Sequence, residues 1–146
     1  MAGLRWVQLS GDERDELLGT GGTGVISFVI GADEPPASFP VSYGYDADSS
    51  TFYFRLSFPP GSRKETVIEN PVSFVTYEET PRGWQSVVAT GHLEEVADFP
   101  YDSAVVQAMW AIDIPTVDVF DRPRAEIDFY DFCLEPSSLT GRKEVE

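Results

Sequence analysis

Three cations stand close together in a chain that has few. Residues 55–64, RLSFPPGSRK, hold Arg55, Arg63 and Lys64 and no acidic side chain, in a sequence of formal net charge −15. The wider stretch, residues 51–70, predicts a strand, a Pro59-Pro60-Gly61 break, and a helix opened by Ser62, Arg63 and Lys64. Ser62 and Glu65 have the S-x-x-E spacing of a capping box. Backbone N–H groups at a helix start attract an anion, and two cations beside them suit a phosphate. The same cations oppose the helix dipole when nothing is bound, so the competing reading, a solvated first turn, carries a small electrostatic penalty. The expectation is a pocket for a phosphate-bearing cofactor at the mouth of a small β-barrel.

Other side chains capable of chemistry have plainer readings. Cys133, the one cysteine, excludes an internal disulfide and a Cys-rich metal site, and in a hydrophobic late strand it reads as a buried structural thiol. His92 is the one histidine; with no His or Cys partner it reads as structural or surface rather than as a base or metal ligand. The cluster Gly19-Thr20-Gly21-Gly22-Thr23-Gly24 lacks the Gly-Lys-Ser/Thr ending of a phosphate loop and precedes a strand, so it reads as a helix stop and turn. Arg142 and Lys143 sit in a basic tail that caps the C-terminal region, reaches a second subunit or is mobile and solvated. The many carboxylates are dispersed, and no pair stands out as general acid and base.

The elements that must position these residues are mostly strands. Ser10-Gly11-Asp12-Glu13 is a capping box ahead of a short helix over about 11–19, preceded by a strand or arm at Arg5-Trp6-Val7. Strands are predicted at 25–30, 39–45, 51–58, 72–77, 84–96 and 125–134, with a bend at Gly91 in the fifth. In the third, Phe52, Phe54, Leu56 and Phe58 share one face, and Tyr53, Arg55 and Ser57 the other. A helix over 62–70 stops before Pro71, and a second, over 101–112, places Val105, Met109 and Ile112 on one side. Residues 115–124 form an acidic loop. Six strands, short hairpin turns and peripheral helices describe an antiparallel barrel.

At 146 residues the chain is long enough for one domain with a real core, with residues 1–20 as arm and helix and 135–146 as tail. Asp and Glu outnumber Lys and Arg by 25 to 10, which disfavours nucleic acid and anionic membrane as partners. Adaptation to high salt accounts for such a surface, because screening confines repulsion to about 3 Å near 1 M. Residues 1–10 have no apolar signal-peptide core, and no apolar run is long enough to span a bilayer. A salt-rich cytoplasm is the expected location.

The series Pro40-Val41-Ser42-Tyr43-Gly44-Tyr45, Phe52-Tyr53-Phe54, Gly61-Ser62-Arg63-Lys64, Asn70-Pro71-Val72-Ser73-Phe74 and Trp84-Gln85-Ser86-Val87-Val88-Ala89-Thr90-Gly91 resembles the pyridoxamine 5'-phosphate oxidase-like split-barrel flavoproteins. The likeness is to the small branch that includes nitroimidazole-resistance proteins, and it covers about half the chain, residues 25–96. It implies a mainly β fold, a six-stranded antiparallel split barrel with peripheral helices, dimeric, with FMN in clefts between the subunits. Residues 61–64 would then meet the FMN phosphate. Pro40, Val41, Ser42 and Tyr43 would lie along the isoalloxazine ring with backbone groups at its polar edge, and Trp84, Gln85 and Ser86 would reach the flavin from the other subunit. Arg55 stands where relatives often carry a histidine near the flavin; read by itself it is a surface ion pair. Trp84 and the tyrosines could stack on a flavin, though at strand spacing they equally suit the core. The implied activity is flavin-dependent oxidation or reduction of a small molecule. The rivals are deazaflavin F420 in the same fold, a non-catalytic flavin carrier or sensor, and a cofactor-free dimer.

Overall fold

The structure, a computed structural model, describes residues 5–57, 69–111 and 129–145. Its strands are β1 (Arg5–Gln8), β2 (Gly21–Phe28), β3 (Ala37–Asp46), β4 (Thr51–Ser57), β5 (Val72–Thr80), β6 (Gly83–Gly91), β7 (Leu93–Glu95), β8 (Phe129–Leu134) and β9 (Ser138–Val145), with helices α1 (Gly11–Leu18) and α2 (Ala104–Ala111). All nine strands join one sheet in the order β1-β9-β6-β5-β2-β3-β4-β8-β7, and every neighbouring pair is antiparallel.

Connectivity forces that sheet to curl. β6 is third in the order and β7 ninth, yet only His92 separates Gly91 from Leu93. Two residues of chain reach at most about 7 Å, so the far edge of the sheet must fold back to the third strand. Gly91 permits the approach. A Cβ there would lie 3.1 Å from Leu134 Cδ1 and 3.2 Å from the Ser137 nitrogen. The result is a half-barrel, mainly β, with two peripheral helices among the described residues.

The sequence predicts six strands; nine are present among the described residues. The predicted strand over 84–96 divides at Gly91 and His92 into β6 and β7, and the predicted arm is β1. The predicted tail is β9, which lies between β1 and β6 rather than in solvent. Its sequence, SLTGRKEV, has too few apolar residues to alternate as a core strand does, because its contribution is backbone pairing more than burial. The glycine cluster also differs from the expectation. Gly19 ends α1, but Gly21, Gly22 and Gly24 are already in β2. A Cβ on Gly24 would come within 2.5 Å of the Val75 carbonyl and 2.6 Å of the Phe74 ring, so its smallness lets β5 pack against β2.

The barrel interior is aromatic. Tyr43, Tyr45, Phe52, Phe54, Phe74 and Phe132 are buried with Ile26, Val87, Ala89 and Leu134. The Phe74 ring centroid lies 5.2 Å from that of Tyr43, 5.6 Å from Phe52 and 5.0 Å from Phe54. Edge-to-face pairs of this kind contribute about 0.5–1.5 kcal/mol each beyond burial. The predicted aromatic face of β4 is therefore inside, and Arg55 is outside. Tyr53, which shares Arg55's face, is nonetheless buried: α2 covers it, packing Val106 and Met109 around Tyr53, Val96 and Cys133. Val105 is partly buried beside them, and Ile112 lies outside the described residues. Among the described residues, no helix is long and apolar enough to cross a membrane.

The capping box at Ser10 forms as expected. The Glu13 N–H donates to Ser10 Oγ at 3.1 Å, and the Ser10 N–H to Glu13 Oε1 at 3.0 Å. The second Glu13 oxygen accepts from Lys143 Nζ at 2.6 Å, tying the start of α1 to β9. That cation and the capping N–H hold the Glu13 carboxyl below its ordinary pKa.

Candidate functional site

The strand that the resemblance assigns to the flavin is not uniform. Residues 43 and 44 of β3 pair with β2 on one side and β4 on the other, while residues 45 and 46 pair with β4 and the Tyr45 N–H donates to the Thr20 carbonyl at 3.0 Å. The β3–β4 ladder ends at Tyr43 opposite Phe54. Residues 37–42 continue along β2 alone, while β4 continues along β8 as far as Ser57. One edge of β3 is thus open from Ala37 to Ser42 among the described residues, and the sheet splits at that point.

Pro40 fits this arrangement, because a proline nitrogen in a strand belongs where no neighbouring strand needs its hydrogen. Backbone groups of alternate residues face the same side of a strand. With the Pro40 nitrogen toward the opening, the N–H and C=O of Ser38 and Ser42 face it too. Phe39 stands beside them with 52% of its surface exposed, its ring centroid 6.1 Å from that of Phe28. Val41 packs against the core.

Ser42 carries the distinctive feature. Its Oγ is buried and makes no hydrogen bond. An unsatisfied buried hydroxyl costs about 1–3 kcal/mol, and folded proteins rarely leave one without cause. Other polar side chains of the sheet find partners: Ser27 and Ser38 are 2.8 Å apart at their hydroxyls, and Thr76 Oγ1 donates to the Thr23 carbonyl at 2.8 Å. An unmatched hydroxyl beside an open backbone edge is what a polar heterocycle would leave behind, so the residues present fit a flavin ring.

Each remaining candidate has a definite place. The Tyr43 side chain is not at the opening; it is in the core, where its hydroxyl donates to the Leu18 carbonyl at 3.0 Å and burial raises its pKa. Arg55 lies one rung beyond the last β3–β4 pair, on the Ser42 side of the split. Its Nε donates to Asp131 Oδ1 at 2.9 Å, with 43% and 37% of the two side chains exposed. A pair that open contributes at most about 1 kcal/mol. Ser62, Arg63 and Lys64, the expected phosphate site, lie outside the described residues.

Trp84, Gln85 and Ser86 are on β6, which β5 and β2 separate from β3. Across three strand spacings that is about 14 Å. One copy of the chain therefore does not bring them to Ser42. Trp84 is 42% exposed and tilts against Tyr77 with ring centroids 5.8 Å apart. The Trp84 backbone N–H donates to Glu144 Oε1 at 2.8 Å. Trp84 lines a cleft of about 480 Å³ together with Arg82, Lys143 and Glu13. Sequence reasoning named Trp84 but not its contact with Tyr77; the β5–β6 hairpin, with its turn at 81–82, was the signal that could have placed them as diagonal neighbours, Tyr77 opposite Ser86 and Trp84 opposite Glu79.

On the sheet's outward face, Pro40, Val25, Val75 and Val88 form one cross-strand row. Ser38, Ser27, Ser73, Thr90 and Ser138 form the next. This face is small-residued and weakly polar, unlike the acidic remainder. Cys133 is buried, and burial followed by the charge of Glu94 pushes its thiol up to about 12, which keeps it protonated and unreactive.

Residues 10–143 match the family model described as pyridoxamine 5'-phosphate oxidase. The chain belongs to this family. No curated protein is significantly similar in sequence. Solved structures of the same fold include the FAD-binding protein of Mycobacterium smegmatis, 19% identical, covering 96% of this chain and 100% of that one with a TM-score of 0.69. An FAD-binding protein of Mesorhizobium loti is 24% identical, with 99% and 100% coverage and a TM-score of 0.65. A Bacteroides thetaiotaomicron protein assigned to 5-nitroimidazole antibiotic resistance is 17% identical, with 98% and 90% coverage and a TM-score of 0.59. At these identities the likeness is one of fold, and it extends over nearly the whole pyridoxamine 5'-phosphate oxidase-like chain.

Proposed function

We propose that this protein binds FMN non-covalently and acts as a flavin-dependent oxidoreductase on a small molecule. The observation that carries the reading is the split between β3 and β4, with its open backbone edge and the unmatched Ser42 hydroxyl. A bound flavin would supply the hydride or electron chemistry, and the chain would supply position, polarity and exclusion of water. Residues 38–42 would meet the ring, with Phe39 offering an apolar surface beside it. Arg63 and Lys64 would neutralise the phosphate. Trp84 and Ser86, too distant within one copy, would complete the site from a second copy docked on the face of Val25, Val75 and Val88. The working form is accordingly a homodimer, in a salt-rich cytoplasm where its charge of −15 is screened.

FAD is the second reading. Two similar structures are named as FAD-binding proteins, and the cleft lined by Trp84, Arg82 and Lys143 offers an aromatic surface and cations to a longer tail. Parallel titrations of the purified protein with FMN, FAD and F420, read by absorbance near 370 and 450 nm for the flavins, test both. Saturable FMN binding supports the first reading and preference for FAD the second; absence of binding by any of the three overturns them. Turnover of an acceptor by the FMN-loaded protein separates an enzyme from a carrier.

A further inference from the structure

Resting on the flavin reading, we propose that the Ser42 hydroxyl donates a hydrogen bond to the polar edge of the flavin ring and thereby sets how readily the bound flavin is reduced. Among the described residues two buried side-chain polar atoms lack a partner, Ser42 Oγ and Arg14 Nε. Arg14 has other guanidinium N–H groups to solvate, whereas a serine has one hydroxyl and loses its only side-chain bond. Ser42 is also the last residue before the sheet splits, next to the final β3–β4 pair. By strand alternation its backbone N–H is directed along the sheet toward the opening, beside the unmatched hydroxyl. An alanine would satisfy the local packing without an unmatched oxygen. The hydroxyl is therefore explained by a partner that arrives with the ligand.

The electronic consequence follows from charge. Reduction adds electron density to the ring, and a hydrogen bond from a neutral hydroxyl is stronger to the more negative state. The Ser42 donor favours the reduced flavin, and its removal lowers the midpoint potential. Because this effect acts on the cofactor, it is readable without a known substrate.

The experiment compares wild type, Ser42→Ala and Ser42→Thr, each loaded with FMN and reduced by xanthine and xanthine oxidase beside a reference dye. Ser42→Ala is expected to bind FMN but to shift the reduced-to-oxidised ratio at least tenfold toward oxidised, about 30 mV for a two-electron couple. Ser42→Thr, which keeps the hydroxyl, is expected to stay within threefold of wild type. A Ser42→Ala protein that holds FMN at an unchanged potential overturns the inference and leaves the flavin reading intact. If Ser42→Ala loses FMN, retention with near-wild-type potential in Ser42→Thr supports the hydroxyl, and loss there too overturns it in favour of packing alone. Wild type that binds no FMN overturns the flavin reading itself.

Discussion

The two halves of β3 have been built for different ends. Residues 43–46 all pair with β4, and β2 or the Thr20 carbonyl holds the other side as far as Tyr45, with Tyr43 and Tyr45 buried and their hydroxyls satisfied by the Leu18 carbonyl and Asp15. Residues 37–42 have one strand partner, an exposed Phe39 and a hydroxyl with nothing to bond. The closed half supplies rigidity and the open half unmet bonding capacity. A site needs both, since an unsatisfied group stays in place only where its surroundings are over-determined.

Mutations should separate the halves, and the largest effect belongs to the closed one. Phe74→Ala removes the ring that touches Tyr43, Phe52 and Phe54. It should cost about 3–5 kcal/mol in denaturant unfolding; a loss under about 1 kcal/mol would mean that the interior is not closed around Phe74. Alkaline pH should act next, on the back of β4. Burial pushes the Tyr53 phenol and the Cys133 thiol each up to about 12, from 10.0 and 9.0. Their folded pKa values lie above the unfolded ones, so the stability is intact below pH 9 and is lost as the pH rises from there toward 12. A melting temperature level across pH 9–12 would contradict the burial.

Smaller effects sharpen the contrast. Tyr43→Phe leaves the Leu18 carbonyl without its hydroxyl donor and should cost about 1–3 kcal/mol. Ser42→Ala, one residue away, should cost nothing without ligand and raise the melting temperature slightly, because it removes an unmatched oxygen. Equal destabilisation by the two substitutions, measured by thermal melts, would erase the distinction between the halves. Arg55→Ala should change stability by at most about 1 kcal/mol, since its bond to Asp131 is half exposed.

The sequence makes the closed half legible and the open half less so. Alternation at Phe52, Phe54 and Leu56 identifies the inner face of β4, and Ser10 with Glu13 identifies the start of α1, because both signals are local. β9 is illegible for the opposite reason: its backbone fills a sheet position while its side chains stay largely polar. Tyr53 misleads because α2, distant in sequence, covers it. Ser42 is named through the resemblance, but its importance is not readable from type or spacing. It depends on where a ladder of hydrogen bonds stops, and only the paired strands reveal that.

The most direct test of a flavin site at the open edge is a backbone amide NMR titration of the protein with FMN. The expected result is saturable shifts concentrated at Ser38, Phe39, Val41, Ser42 and Arg55, with a second group at Trp84 and Ser86 from the neighbouring copy. Saturable shifts confined to the exposed pair Tyr101 and Trp110, whose rings meet 4.7 Å apart on the α2 side, or no shifts at all, would contradict it.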